Sequence, residues 1–158
     1  MEQPEDIYVS PQTLERMRKE LEELTGPGRE EMSVRLLRAR ELGDLKENAE
    51  YHAAKDAQGL MEARIRQLEH TISKAVVREV STSADEVGPG LIVTVKDQYG
   101  TEDYLFADSM EEKVDGASTV TPSSPMGRAL AGRKVGETAT VEAPRGSFTV
   151  EIVGLKPL

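Results

Sequence analysis

The chain has 158 residues, enough for one large domain or two small ones, with 37% hydrophobic residues and a formal net charge of −9. Four Tyr, two Phe and no Trp supply too little aromatic surface for a base-stacking nucleic-acid module, and the negative charge argues against a general polyanion-binding surface. With no cysteine, disulfides, thiolate metal sites and a cysteine nucleophile are excluded.

Residues 1–9 read as a short lead-in without a basic, apolar leader. No apolar run approaches the roughly 18 residues that cross a membrane, so a soluble cytoplasmic protein with no membrane contact is expected. Ser10 then Pro11 has the form of a helix start, a capping hydroxyl followed by proline at the first helical position. Leu14, Met17, Leu21 and Leu24 alternate spacings of three and four, the seam of a coiled coil. Thr25-Gly26-Pro27-Gly28 interrupts it. Proline has no backbone donor and crowds the preceding turn, which predicts a kink or local bulge. The pattern resumes at Met32, Leu36 and Ala39 and ends near Leu42.

A second helix is predicted from about Leu45 to Val76, with apolar positions at Ala54, Ala57, Met61, Ile65, Leu68, Ile72 and Ala75. Two seams joined by a short turn make an antiparallel helical hairpin. Arms of roughly 30 residues at 1.5 Å per residue would reach about 45 Å.

The composition changes near residue 80, where Ser81 to Gly90 reads as a linker or strand entry. Leu91–Lys96 and Glu102–Ala107 then flank a glycine-containing turn as one hairpin. A short strand is expected at Ser118–Thr121. Ser124-Pro125 repeats the cap-then-proline signature and opens a short helix through Leu130, stopped at Gly132. Thr138–Glu142 and Ser147–Val153 form a second hairpin around Pro144-Arg145-Gly146. The expected fold is α+β: residues 1–80 an antiparallel coiled-coil hairpin, residues 81–158 a small, mostly antiparallel sheet with one short helix.

The residues with chemistry sit at the turn of the first hairpin. Gly43 suits the left-handed position that stops a helix. Asp44 is then expected to cap the second helix, with Glu47 three residues on closing a capping-box-like pair. Capping alone would explain both acids. Two carboxylates at the end of a thin projection are also placed for delivery into something else. Mg²⁺ takes oxygen ligands and often only one or two carboxylates from a protein, so Asp44 and Glu47 can share such an ion, the other ligands coming from a partner. Behind the turn, Arg35, Arg38, Arg40 and Lys55 form a candidate basic band for a polynucleotide strand. A solvated face paired with neighbouring glutamates is the plainer alternative. Tyr51 can stack on a base or pack on the opposite helix. His52 has too few partners for a ligand or general base.

Arg40-Glu41-Leu42-Gly43-Asp44-Leu45-Lys46-Glu47-Asn48-Ala49-Glu50-Tyr51-His52-Ala53-Ala54-Lys55 resembles the signature of the bacterial transcript cleavage factors GreA and GreB, GreA more nearly. Ser124-Pro125-Met126-Gly127-Arg128-Ala129-Leu130 and Gly132-Arg133-Lys134-Val135-Gly136-Glu137 resemble that family's C-terminal motif. The resemblance implies a hairpin that enters the secondary channel of RNA polymerase and an acidic tip that helps hold the second Mg²⁺ of a backtracked complex. The polymerase then hydrolyses its own transcript, so the chain would be an auxiliary factor and not an enzyme by itself. Asp44 and Glu47 match the family's tip acids. Arg40 and Lys55 match its basic patch, which contacts the extruded RNA 3′ region. The C-terminal domain resembles an FKBP-like fold that docks on polymerase, with Ser124 and Pro125 in the docking region. The resemblance implies RNA polymerase and the nascent RNA 3′ end as partners of a monomer, with Mg²⁺ shared and not stably bound by the chain alone. Two other readings stay open: a channel-binding inhibitor without cleavage activity, and an FKBP-like prolyl isomerase or chaperone.

Overall fold

The computed structural model describes residues 6–44, 48–78 and 85–158. The elements in chain order are β1 (Ile7–Val9), α1 (Pro11–Glu23), a π-helical turn (Leu24–Gly28), α2 (Arg29–Arg40), α3 (Ala49–Lys74), β2 (Ala75–Val77), β3 (Leu91–Asp97), β4 (Gly100–Phe106), β5 (Ser118–Val120), α4 (Pro125–Leu130), β6 (Thr138–Ala143) and β7 (Gly146–Pro157). The expected domains, 1–80 and 81–158, divide the chain once. By compactness it forms Glu15–Lys74 as one unit and Met1–Leu14 with Ala75–Leu158 as the other.

The first unit is the helical hairpin. Its buried apolar side chains are those of the predicted seam: Met17, Ala39, Ala54, Ile65 and Leu68. Full burial of side chains such as Ile65 and Leu68 is worth about 1.5–3 kcal/mol each. The buried apolar positions nearest the turn, Ala39 and Ala54, are both alanine, which lets two helices approach closely and keeps the arm thin there. Two bidentate ion pairs bridge the arms, Arg64 to Glu20 at 2.8 Å through both nitrogens and Arg29 to Glu62 at 3.0 Å. The hydrogen bond from Arg29 holds the Glu62 carboxyl below its ordinary range.

The predicted kink is a π-helical turn. Leu24 and Met32 are one residue further apart than a heptad allows. A π turn takes up a single extra residue inside an α-helix, so the seam returns to register at Met32, Leu36 and Ala39. The backbone N–H of Arg29 reaches the Leu24 carbonyl, the wide bond of this geometry. Pro27 brings no donor of its own; the Thr25 hydroxyl donates to the Leu21 carbonyl at 2.8 Å and lies 3.4 Å from the Glu22 carbonyl, which a backbone N–H at position 27 would reach in this geometry.

The second helix departs from expectation at both ends. It begins at Ala49, not Leu45, and stops at Lys74, after which Ala75 and Val76 enter a strand. That strand, β2, pairs in parallel with β1, Ile7 opposite Ala75 and Val9 opposite Val77. The lead-in is therefore structured. Asp108 accepts from the Tyr8 backbone N–H at 3.2 Å. The Ser10 hydroxyl accepts from the Thr13 N–H, as a helix cap should. The Glu112 carboxylate, itself buried, accepts from both the backbone N–H and the hydroxyl of Ser10. It fills the place that the third helical residue takes in an ordinary capping box.

The larger sheet has strand order β5-β4-β3-β7-β6, antiparallel throughout except for the β4–β5 edge. Central β3 is apolar on both faces, as Leu91, Ile92, Val93 and Val95 are all buried. One face packs with Phe106, Val141, Val150, Ile152 and the α4 residue Leu130; the other carries the smaller cluster Ile92, Leu105 and Ala107. The alternation of β6, with Ala139 and Val141 inward, follows the period of two.

Candidate functional site

The turn between α2 and α3 is built from its two ends. The last α2 carbonyls receive the N–H groups of Glu41 and Leu42, and the chain then reverses at Gly43, whose φ of +124° only glycine adopts readily. Asp44 follows, exposed to solvent. The expectation that Asp44 caps the next helix is overturned. Asn48 does so: its Oδ1 accepts from the Tyr51 N–H at 3.0 Å, and its backbone carbonyl accepts from His52 at 3.1 Å. Asn48 is buried, and its Nδ2 donates to the Ala39 carbonyl on the opposite arm. The cause is tertiary. Asp and Asn cap about equally well, but only the amide also donates to Ala39. Glu47, the partner expected for Asp44, lies outside the described residues.

The basic residues behind the turn occupy two flanks and not one band. The Arg40 guanidinium lies over the Tyr51 ring, 5.7 Å from its centroid, and Lys55 is one helical turn further along α3 on the face of Tyr51. Lys55 also donates to Gln58 at 3.0 Å. His52 meets the Tyr51 ring edge-on at 6.0 Å. Arg35 and Arg38 instead line a groove of about 680 Å³ with Val34, Glu30, Glu31 and Glu50. Helical phase explains the division: Arg35 and Arg38 are one turn apart on α2, and Arg40 points to another side. The acids in the groove give the Arg35–Arg38 flank mixed charge.

On the sheet unit, Ser124 and Pro125 open α4. The Ser124 hydroxyl accepts from the Gly127 N–H at 3.0 Å and donates to the Thr121 carbonyl at 2.7 Å. Gly127 has no room for a side chain: a Cβ there would sit 1.7 Å from the Thr121 oxygen. The following Met126 lines a cleft of about 430 Å³ with Tyr99, Tyr104, Phe148, Val95 and Val150. Composition gave no hint of this convergence, because the aromatics come from the β3–β4 turn, β4 and β7. Burial, and next the hydrogen bond to Glu102, raise the Tyr104 hydroxyl to a pKa of about 12. Among the described residues no group of three or more His, Asp or Glu side chains could hold a metal ion. No described helix is long and apolar enough to cross a membrane.

Comparison with known proteins adds the following. A family model described as "Transcription elongation factor, N-terminal" matches residues 7–77, and one described as "Transcription elongation factor, GreA/GreB, C-term" matches residues 82–157. Transcription elongation factor GreA of Streptomyces avermitilis is 38% identical over 154 residues, 95% of this chain and 93% of that protein. Its counterpart in Thermotoga petrophila is 41% identical over 150 residues, 94% and 96% of the two chains. The solved structure of the transcription factor Gfh1 is 27% identical with a TM-score of 0.47, covering 95% of this chain and 97% of that one.

Proposed function

This chain belongs to the GreA/GreB family of transcription elongation factors, and from that membership we propose that it rescues arrested transcription by stimulating transcript cleavage. Its hairpin enters the secondary channel of RNA polymerase in the cytoplasm and brings Asp44 and Glu47 to the active centre of a backtracked complex. The observation that supports this most is the state of Asp44. It is exposed at the turn of a two-helix arm, while Asn48 caps α3.

The chain's contribution is positional and electrostatic, and the bond is cut by the polymerase. Asp44 is an exposed hard-oxygen donor, and one or two carboxylates are the usual protein share of a Mg²⁺ site. Bound between factor and polymerase, such an ion would activate water and steady the leaving oxygen. Asp44 and Glu47 would orient that water and add negative charge beside it. Arg40 and Lys55, on the Tyr51 flank, contact phosphates of the extruded RNA 3′ region. Arg35 and Arg38, which share their groove with glutamates, contribute less. Ser124 and Pro125 dock on the polymerase, and the cleft beside Met126, lined by Tyr99, Tyr104 and Phe148 together with Asp97 and Glu102, offers the adjoining surface. The factor works as a monomer.

The test adds the protein to halted, backtracked elongation complexes with Mg²⁺. Shortened transcripts that resume elongation are expected. Slower elongation without shortening would establish the inhibitor reading instead, and prolyl isomerisation without any effect on transcription would establish the isomerase reading.

A further inference from the structure

We propose that Asn48 is a positioning residue for Asp44. One buried carboxamide clasps both ends of the segment that carries Asp44: Oδ1 takes the Tyr51 N–H at the start of α3, and Nδ2 gives to the Ala39 carbonyl at the end of α2. Ala39 is also buried, and its carbonyl accepts from the Leu42 N–H at 3.2 Å as well. The two helix ends and the first residues of the turn therefore meet at one carbonyl and one amide. Hydrogen bonds shielded from water hold more firmly than exposed ones. Fixing the ends of a loop removes most of the freedom of what lies between them. Asp44 is four positions before Asn48, next to the Gly43 reversal. Catalytic geometry tolerates little displacement, and an error of about 1 Å can cost on the order of a hundredfold in rate.

Only asparagine meets these demands. Aspartate caps the helix but has no donor for Ala39. Serine caps but is too short to span the arms. Glutamine carries both groups one carbon too far.

The activity part of this inference rests on the cleavage reading above; the clasp itself does not. Asn48→Asp keeps the acceptor for Tyr51 and favourable charge at the helix start, but it replaces the donor to Ala39 by a carboxylate oxygen that the Ala39 carbonyl repels, so the clasp opens on that side. Its maximal rate of transcript cleavage is expected to fall roughly ten- to a hundredfold. The factor concentration giving half-maximal stimulation should stay unchanged, and the Mg²⁺ concentration required should rise. Amide exchange at Gly43 and Asp44 should speed up while exchange along Ile65 and Leu68 does not. Asn48→Ser, which caps without charge, should behave alike and serves if the aspartate variant fails to fold. Unchanged maximal rate and unchanged exchange in the turn would overturn the proposal. So would a rate lost only through a higher half-maximal concentration, which marks a general structural role. Asp44→Asn separates the two ideas: full cleavage by that variant removes the role of Asp44 in cleavage, while the exchange measurement still judges the clasp.

Discussion

At the turn, neighbouring side chains divide two tasks that the sequence alone would give to one. Asn48 closes the helix, and Asp44 faces solvent. Both types cap helices equally well, and the choice between them was illegible because it depends on the Ala39 carbonyl of the other arm. The basic flanks make a second residue-level distinction. Replacing Arg40 and Lys55 together by alanine should reduce cleavage stimulation and its sensitivity to salt, whereas Arg35→Ala with Arg38→Ala should do so less. Both pairs are exposed, so melting should shift by no more than about 0.5 kcal/mol in either case. Equal losses from the two pairs, measured on backtracked complexes, would contradict the division. Ser124→Ala should cost about 1 kcal/mol by denaturant titration, the usual worth of a helix cap.

Among the elements, the π-helical turn shows why a local irregularity need not spoil a long seam. It absorbs one residue, so deleting Gly26 and replacing Pro27 by alanine, which removes the ring that crowds the preceding turn, should let α1 run into α2 as continuous α-helix with Ala39 still in the seam. Circular dichroism should then show retained helix and an undiminished midpoint; a collapsed hairpin would show that the turn is required for more than register. At α4 the constraint is harder. Gly127→Ala places a methyl group against a backbone carbonyl that cannot step aside, and a loss of about 3 kcal/mol or more in the sheet unit is expected. Periods of two and of three-and-four, with the capping pairs Ser10-Pro11 and Ser124-Pro125, made both helical arms, both large hairpins and α4 legible. The strands β1 and β2 were not: Ile7–Val9 is hidden in a short lead-in, and Ala75 continues the apolar spacing of the second helix into Ala75–Val77. Nor was Glu112, which reads as an ordinary loop acid until Ser10 is brought to it from the far end of the chain.

At the scale of the whole molecule, the sheet unit draws on both ends of the sequence. A fragment of residues 81–158 lacks β1, β2 and Ser10, so the buried Glu112 loses its partners. Its melting temperature should lie below that of the same unit in the intact chain. Alkaline titration offers an independent check. The folded state keeps the Tyr104 proton to about 12, above the ordinary tyrosine value of about 10. Its contribution is therefore complete below about pH 10 and is lost as pH rises through about 12. Tyr104→Phe should remove that part of the alkaline decline; an unchanged profile would assign the decline to other groups. The central claim concerns the acids that the hairpin lends to another enzyme, and it is tested most directly by transcript cleavage in backtracked complexes with an Asp44→Asn, Glu47→Gln variant. The account predicts a cleavage rate reduced roughly a hundredfold or more while polymerase binding persists. Cleavage at the parent rate would contradict it.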